Sequence, residues 1–242
     1  VTLGGATVLV IGGSSGMGLG VARAAATRGA TVVVTTRGGD PAAVADRVAR
    51  ALPDPGRVRA LPCDLTDAAS VAALFERVRA VDHLVITATP GSSGGAFADT
   101  DVEAARGVVD GKLWGTWRAA RHAVAAGAKS LLFTTGGMAV RPAPGRAAVS
   151  VAFAAVEALG RALAVELAPV RVNVVRPGLT DTEMWASVPE ADRAEIFRGF
   201  AETAPARRVG TPTDIGEAAV YLMTAGFVTG AVLDVDGGSL LV

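Results

Sequence analysis

The chain has 242 residues, half of them hydrophobic and 19% charged, with 23 basic residues balancing 23 acidic ones. That is enough apolar material for the core of one large α/β domain, and it argues against disorder. No basic stripe or aromatic-interleaved patch points to nucleic acid, and no apolar run promises a membrane span. The lone Cys63 excludes an internal disulfide and a cysteine metal cluster, and fits a reducing cytoplasm. No charged segment followed by an apolar one opens the chain, so no signal peptide is expected.

Residues 6–11 form a short apolar strand that stops in glycines and restarts as a helix near Gly16. The free N–H groups and positive dipole end of such a helix hold a pyrophosphate without a lysine. Gly12, Gly16 and Gly18, with Ser14, Ser15 and Met17 between them, therefore read as a dinucleotide loop. Further strands are predicted at 30–36, 58–61, 83–88, 130–135, 170–175 and 231–235, each separated by helical spacing. Alternating β and α predicts one parallel sheet with helices on both faces, spanning 1–242 as a single domain. The second strand ends in Arg37 with no acid to bind a ribose 2′-hydroxyl, which favours NADP(H) over NAD(H). The loops at 90–95 and 141–145 follow strand carboxyl ends and should border the site. Residues 181–206, interrupted by Pro189 and Pro205, predict a small helical lid.

The motif order resembles the short-chain dehydrogenase/reductase family along essentially the whole chain. Gly12-x-x-x-Gly16-x-Gly18 resembles its cofactor loop, and Cys63-Asp64-Leu65-Thr66 its adenine-contacting strand end. Arg171-Val172-Asn173-x-x-x-Pro177-Gly178 resembles the segment behind the nicotinamide, and Thr182 falls where the family holds the carboxamide. The run from Val228-Thr229-Gly230 to Asp236-Gly237-Gly238 resembles its last strand and turn. The resemblance implies a Rossmann-type, doubly wound sheet in the order 3-2-1-4-5-6-7. It places Asp64, Leu65, Ala88, Pro177, Gly178, Thr180 and Thr182 on the cofactor. It also implies a homodimer or homotetramer built from the helices at 102–126 and 147–168.

The chain departs from the family where the chemistry belongs. Val149 and Phe153 stand at the positions of the tyrosine and lysine of Y-x-x-x-K, Gly136 at or near the serine, and Lys112 at the asparagine. The usual Asn-Asn-Ala-Gly becomes Ile86-Thr87-Ala88-Thr89. Tyr221 is the only tyrosine, within an apolar helix where packing or an interface explains it, and Lys112 and Lys129 are the only lysines. His83 and His122 read as structural or solvated. Lys112 reads either as an exposed helix lysine or as an ammonium carried into the space of the missing lysine, with its pKa lowered by desolvation. Thr135, Ser150, Thr87 and Thr89 offer hydroxyls, which are poor acids without a base or ammonium beside them. Arg141 and Arg146 read as anion contacts or as solvated. Asp181, Glu183 and Trp185 open the lid, with Glu183 either a base or a helix N-terminal acid. The expected activity is NADP(H)-dependent hydride transfer on a small, largely apolar carbonyl, alcohol or activated alkene, with a non-tyrosine proton source. The alternatives are a non-redox enzyme, such as a cyclase, dehydratase or isomerase, and a silent NADP(H)-binding subunit.

Overall fold

The structure is a computed structural model that describes residues 2–50, 57–89 and 94–242. The first four positions of the loop expected at 90–95 lie outside the described residues. Seven strands, β1 (Thr7–Ile11), β2 (Thr31–Thr36), β3 (Val58–Pro62), β4 (His83–Ile86), β5 (Ser130–Thr134), β6 (Arg171–Pro177) and β7 (Val232–Val235), form one sheet. All pair in parallel in the order β3-β2-β1-β4-β5-β6-β7, as expected. The chain reverses its direction of growth between β1 and β4, and a ligand crevice opens at the strand carboxyl ends of such a switch point.

The central strands read as continuous apolar runs because helices cover both faces. Val8, Val10, Val32 and Val34 pack under α1 (Gly16–Thr27) and α8 (Pro212–Thr224). Leu9, Ile11, Leu84, Ile86 and Phe133 pack on the other side, with α3 (Ala68–Val78) and α5 (Gly115–Ala125). The remaining helices are α2 (Pro41–Ala49), α4 (Val102–Val109), α6 (Ala147–Glu166) and α7 (Glu190–Thr203). At the amino edge, Asp82 accepts from the Thr7 amide at 2.8 Å and pairs with Lys129 at 2.7 Å, so Lys129 lies far from the crevice. Residues 181–206 are helical as expected, comprising a 3₁₀ segment, Glu183–Ser187, and α7.

Two expectations need correction. The helix at 102–126 is not continuous, because a π-helical turn, Asp110–Trp114, separates α4 from α5. Such turns add a residue to the helical ladder and re-aim side chains locally; here Lys112 sits inside one. The sequence also promised no apolar run of membrane length, yet α6 has 20 residues and a mean hydropathy of 1.7 over its most apolar window. The composition has a local cause. Val149, Ala152, Phe153 and Val156 are buried on its inner face, and Glu157 is held there in an ion pair.

α1 and α8 approach closely because both carry glycine at the crossing. A Cβ built on Gly216 would lie 2.4 Å from the Gly20 carbonyl oxygen, and one on Gly20 would lie 2.0 Å from that of Pro212. Gly216→Val should therefore lower the urea-unfolding free energy by about 1–3 kcal/mol through overpacking. An unchanged midpoint would show that the crossing tolerates wider separation.

Candidate functional site

A cleft of about 350 Å³ lies at the carboxyl ends of β1, β2 and β4. Its floor is the strand–glycine–helix junction. Gly12 adopts φ +87° and a Cβ there would lie 2.7 Å from the Ala88 amide nitrogen, while one on Gly18 would lie 2.2 Å from the Gly12 carbonyl oxygen. Only glycine fits either place. Two threonines brace the turn: Thr35 Oγ1 accepts from the Gly12 amide at 3.1 Å, and Thr87 Oγ1 donates to the Gly12 carbonyl at 3.1 Å. The Thr87 hydroxyl, expected near the reacting carbonyl, is thus engaged by backbone.

The α1 N-terminus carries no side-chain cap from its own turn. The Glu183 carboxylate accepts from the Gly16 amide at 2.7 Å instead, showing that this amide takes an anion. Glu183 therefore stands at the phosphate end of the cleft rather than beside the catalytic positions. Ser14, Ser15, Met17, Arg37, Asp64 and Leu65 line the same cleft. Arg47 donates to the Ser14 carbonyl at 2.8 Å, fixing the loop from α2. Asp64 accepts from the amide and the hydroxyl of Thr66, which with nearby Arg37 hold its carboxyl below the usual range. The glycine cradle, the anion-accepting amide and Arg37 fit a phosphorylated dinucleotide.

Ala88, Thr89 and Thr182 complete the lining, joined by Gly111 and Met184, which sequence reasoning did not single out. Both adjoin residues that it did, Lys112 and Glu183. Pro177, Gly178 and Thr180 do not line the cleft. They pack at the end of β6 and against the C-terminal turn: a Cβ on Gly178 would meet Asp236 Cα at 2.7 Å, and the Thr180 hydroxyl donates to the Gly178 carbonyl at 3.1 Å.

Lys112 is fully buried, only 1% exposed. Its Nζ donates to the Ala88 carbonyl at 3.0 Å, reaches Thr89 Oγ1 at 3.5 Å and stands 5.7 Å from the centroid of the Phe153 ring. The exposed-helix alternative is thereby removed, and the ammonium borders the position of the missing lysine. Desolvation pulls its pKa down to about 7. Val149 and Phe153 form a buried apolar cluster with Val108 and Ala152. Gly136 makes room for the ring, since a Cβ there would lie 2.8 Å from Phe153 Cε2.

The remaining hydroxyls serve differently than expected. Thr135 donates to Glu157 Oε1 at 3.0 Å, so its proton is committed to a buried carboxylate. Glu157 is itself held by Arg176 through contacts of 2.9 and 2.8 Å, and Arg176 reaches Asp234 at 2.6 Å. Ser150 Oγ is buried in α6 without a hydrogen-bond partner among the described residues. Arg141 donates to the Ser239 and Val242 carbonyls and ties its loop to the C-terminal turn, while Arg146 packs beside Gly94. Asp181 is exposed, and Trp185 Nε1 donates to the Thr180 carbonyl at 3.0 Å. His83 Nδ1 meets Ser130 Oγ at 2.8 Å and burial lowers its pKa to about 4; His122 stacks on Phe75. Tyr221 is exposed on α8.

A folded-state pKa near 7 for Lys112 against an unfolded value of about 10.4 means the unfolded chain binds more protons between those limits. Stability then rises with pH across that window, and the cost of the buried ammonium is fully present at and below pH 7. Lys112→Met should therefore be most favourable relative to the parent at or below pH 7, its advantage shrinking towards pH 10 in urea titrations. A pH-independent difference would contradict the buried cation.

Residues 11–239 match the family profile described as enoyl-(acyl carrier protein) reductase. The chain is 37% identical over 243 residues to cis-4-hydroxycyclohexanecarboxylate dehydrogenase of Sinomonas cyclohexanicum, covering 95% of this chain and 94% of that one. Among solved structures, a small-chain dehydrogenase in complex with NADPH superposes with a TM-score of 0.82 at 30% identity, covering 98% of this chain and 99% of the other. The MalC reductase/Diels-Alderase of Malbranchea aurantiaca superposes with a TM-score of 0.91 at 27% identity, over 99% and 98% of the two chains. Fold order, glycine junction and whole-length likeness agree: the chain belongs to the short-chain dehydrogenase/reductase family.

Proposed function

We propose that the chain is an NADP(H)-dependent oxidoreductase acting on a small, largely apolar carbonyl, alcohol or activated alkene, with Lys112 as the proton source in place of the missing tyrosine. The observation that carries this reading is the buried Lys112 ammonium, which does not itself line the cleft but donates to the Ala88 carbonyl behind the Ala88–Thr89 wall. The NADPH bound to one solved relative, the arginine at the end of β2 and the absence of an acid there support the cofactor. The apolar cluster around Val149 and Phe153 supports the apolar character of the substrate, and the relative named for cis-4-hydroxycyclohexanecarboxylate supports a small alcohol or its ketone as the reacting group.

When bound, NADPH supplies the hydride. The chain's own residues supply the rest: the Gly16 amide and Arg37 would hold phosphate, and the buried cluster of Val149 and Phe153 keeps water from the Lys112 ammonium. Lys112 Nζ holds a proton in a site where a pKa near 7 matches the operating pH, as general acid catalysis requires. In the reductive direction that proton passes from Nζ, by way of the Thr89 hydroxyl that lines the cleft, to the substrate oxygen, or to carbon for an alkene, and Nζ regains a proton through the same hydroxyl from cleft water once product has left. Trp114, Trp117, Val151 and Val165 are exposed on the face of α4 to α6, which supports self-association through that face.

A second reading, a non-redox reaction on the same scaffold, draws on the likeness to MalC, whose name joins a reductase to a Diels-Alderase. Product formed without added nucleotide selects it, whereas tight NADPH binding without turnover selects a silent binding subunit.

The test is consumption of NADPH, followed by absorbance across a panel of ketones, aldehydes and enones. Lys112→Met should lower the reduction rate by about 10²–10⁴-fold. The parent rate should fall as pH rises above about 7, where Nζ loses its proton. Turnover that survives in Lys112→Met removes the lysine from the mechanism. Separately, Arg37→Ala should weaken NADPH binding in calorimetry by about 10- to 100-fold while leaving NADH nearly unchanged. Equal losses for both nucleotides would assign Arg37 to the loop's structure rather than to the 2′-phosphate.

A further inference from the structure

Three departures from the family pattern meet in space. Lys112 comes from the π turn after α4, Phe153 from α6, and Gly136 from the segment after β5. The ring edge of Phe153 occupies the space that a side chain at 136 would need, with 2.8 Å left to a built Cβ. The ring in turn lies under the ammonium at 5.7 Å, within the range of a cation–π contact. The other close partners of Nζ are the neutral oxygens of Ala88 and Thr89. No carboxylate lies within ion-pair distance of it among the described residues. Glu157, one helical turn beyond Phe153 on α6, is engaged by Arg176 and Thr135. Asp110, on the same π turn as Lys112, makes no ion pair with it.

We infer that Phe153 is a positioning residue for Lys112: its ring, admitted by the missing side chain of Gly136, is the face on which the ammonium is held. The inference rests on the reading of Lys112 as proton source, and it specifies how the acid is kept in place. The three residues then form one unit. The ring needs the glycine, and a buried ammonium without a carboxylate needs a polarisable or electron-rich face as well as its two oxygens. A serine restored at 136 alone would displace the ring. A lysine restored at 153 alone would set a second cation beside the first.

The chain has only two lysines, so Lys112 can be observed directly. In protein labelled with ¹³C/¹⁵N-lysine and carrying Lys129→Arg, the remaining Cε and Nζ signals belong to Lys112 and report its pKa by NMR titration. Phe153→Leu keeps the site apolar but removes the π face, and should lower that pKa by about 0.5–1.5. Phe153→Tyr keeps the face and should restore most of the parental value. Gly136→Ala displaces the ring without deleting any core atom, and should lower the pKa in the same direction even if Phe153→Leu fails to fold. The double variant should fall no further than Phe153→Leu alone. A pKa unmoved by Phe153→Leu or by Gly136→Ala, or one that falls as far in Phe153→Tyr as in Phe153→Leu, overturns the inference. Failure of the proton-source reading is separate: it appears as undiminished turnover in Lys112→Met, which the NMR titration does not touch.

Discussion

A charged ammonium is expensive to enclose, and the enclosure of Lys112 is the constraint around which the positions of the family's missing tyrosine and lysine are packed. Moving such a group out of water costs several kcal/mol even after relaxation, and a carboxylate partner is the common remedy. Here the remedy is weaker: one carbonyl, one hydroxyl and an aromatic face. The charge is tolerated but not made comfortable, and for that reason its pKa falls to about 7. A carboxylate at ion-pair distance would have raised the pKa and locked the proton in place. Its absence leaves the proton less tightly held than on an ordinary lysine.

The other half of the site depends on close approach of backbone. Gly12 and Gly18 let β1 turn under α1 with no side chain between, and Thr35 and Thr87 hold the turn from the neighbouring strands. The anion seat at Gly16 is filled by Glu183, the first residue of the 3₁₀ segment in the 181–206 region. A carboxylate on this amide shows the α1 N-terminus stabilising negative charge across 167 residues of chain.

How much of this was legible in the sequence follows from the range of each interaction. Strands announce themselves as short apolar runs, so all seven were readable with boundaries shifted by one or two residues, while their order came from the family resemblance. The glycine junction was readable because its strand, turn and helix are contiguous. Lys112 could be placed beside the site by register, but its burial could not, since that depends on a π turn and on a ring 41 positions away. The roles of Thr135, Thr87 and Glu183 were hidden for the same reason. Each is decided by a partner 22, 75 or 167 residues distant, and a hydroxyl or carboxylate looks the same in sequence whether it faces substrate or backbone. The apolar character of α6 was visible; that it reaches membrane length while lying on a sheet was not weighed.

The floor opposite Lys112 is fixed independently of the chemistry. Glu157 joins α6 to β6 through Arg176, and through Thr135 to the end of β5, so the helix that has lost its tyrosine and lysine remains anchored as firmly as a catalytic helix needs to be. What it presents from that anchor is apolar surface. The same surface that suits an apolar substrate also strips water from the Lys112 ammonium, and the stripping is what lowers its pKa. On the proposed function, substrate preference and acid strength thus have one cause. A family member that kept the usual relay would need polar groups on this wall, and they would resolvate the ammonium. In this chain the loss of the tyrosine and the lowered pKa of a buried lysine are two consequences of making one wall dry.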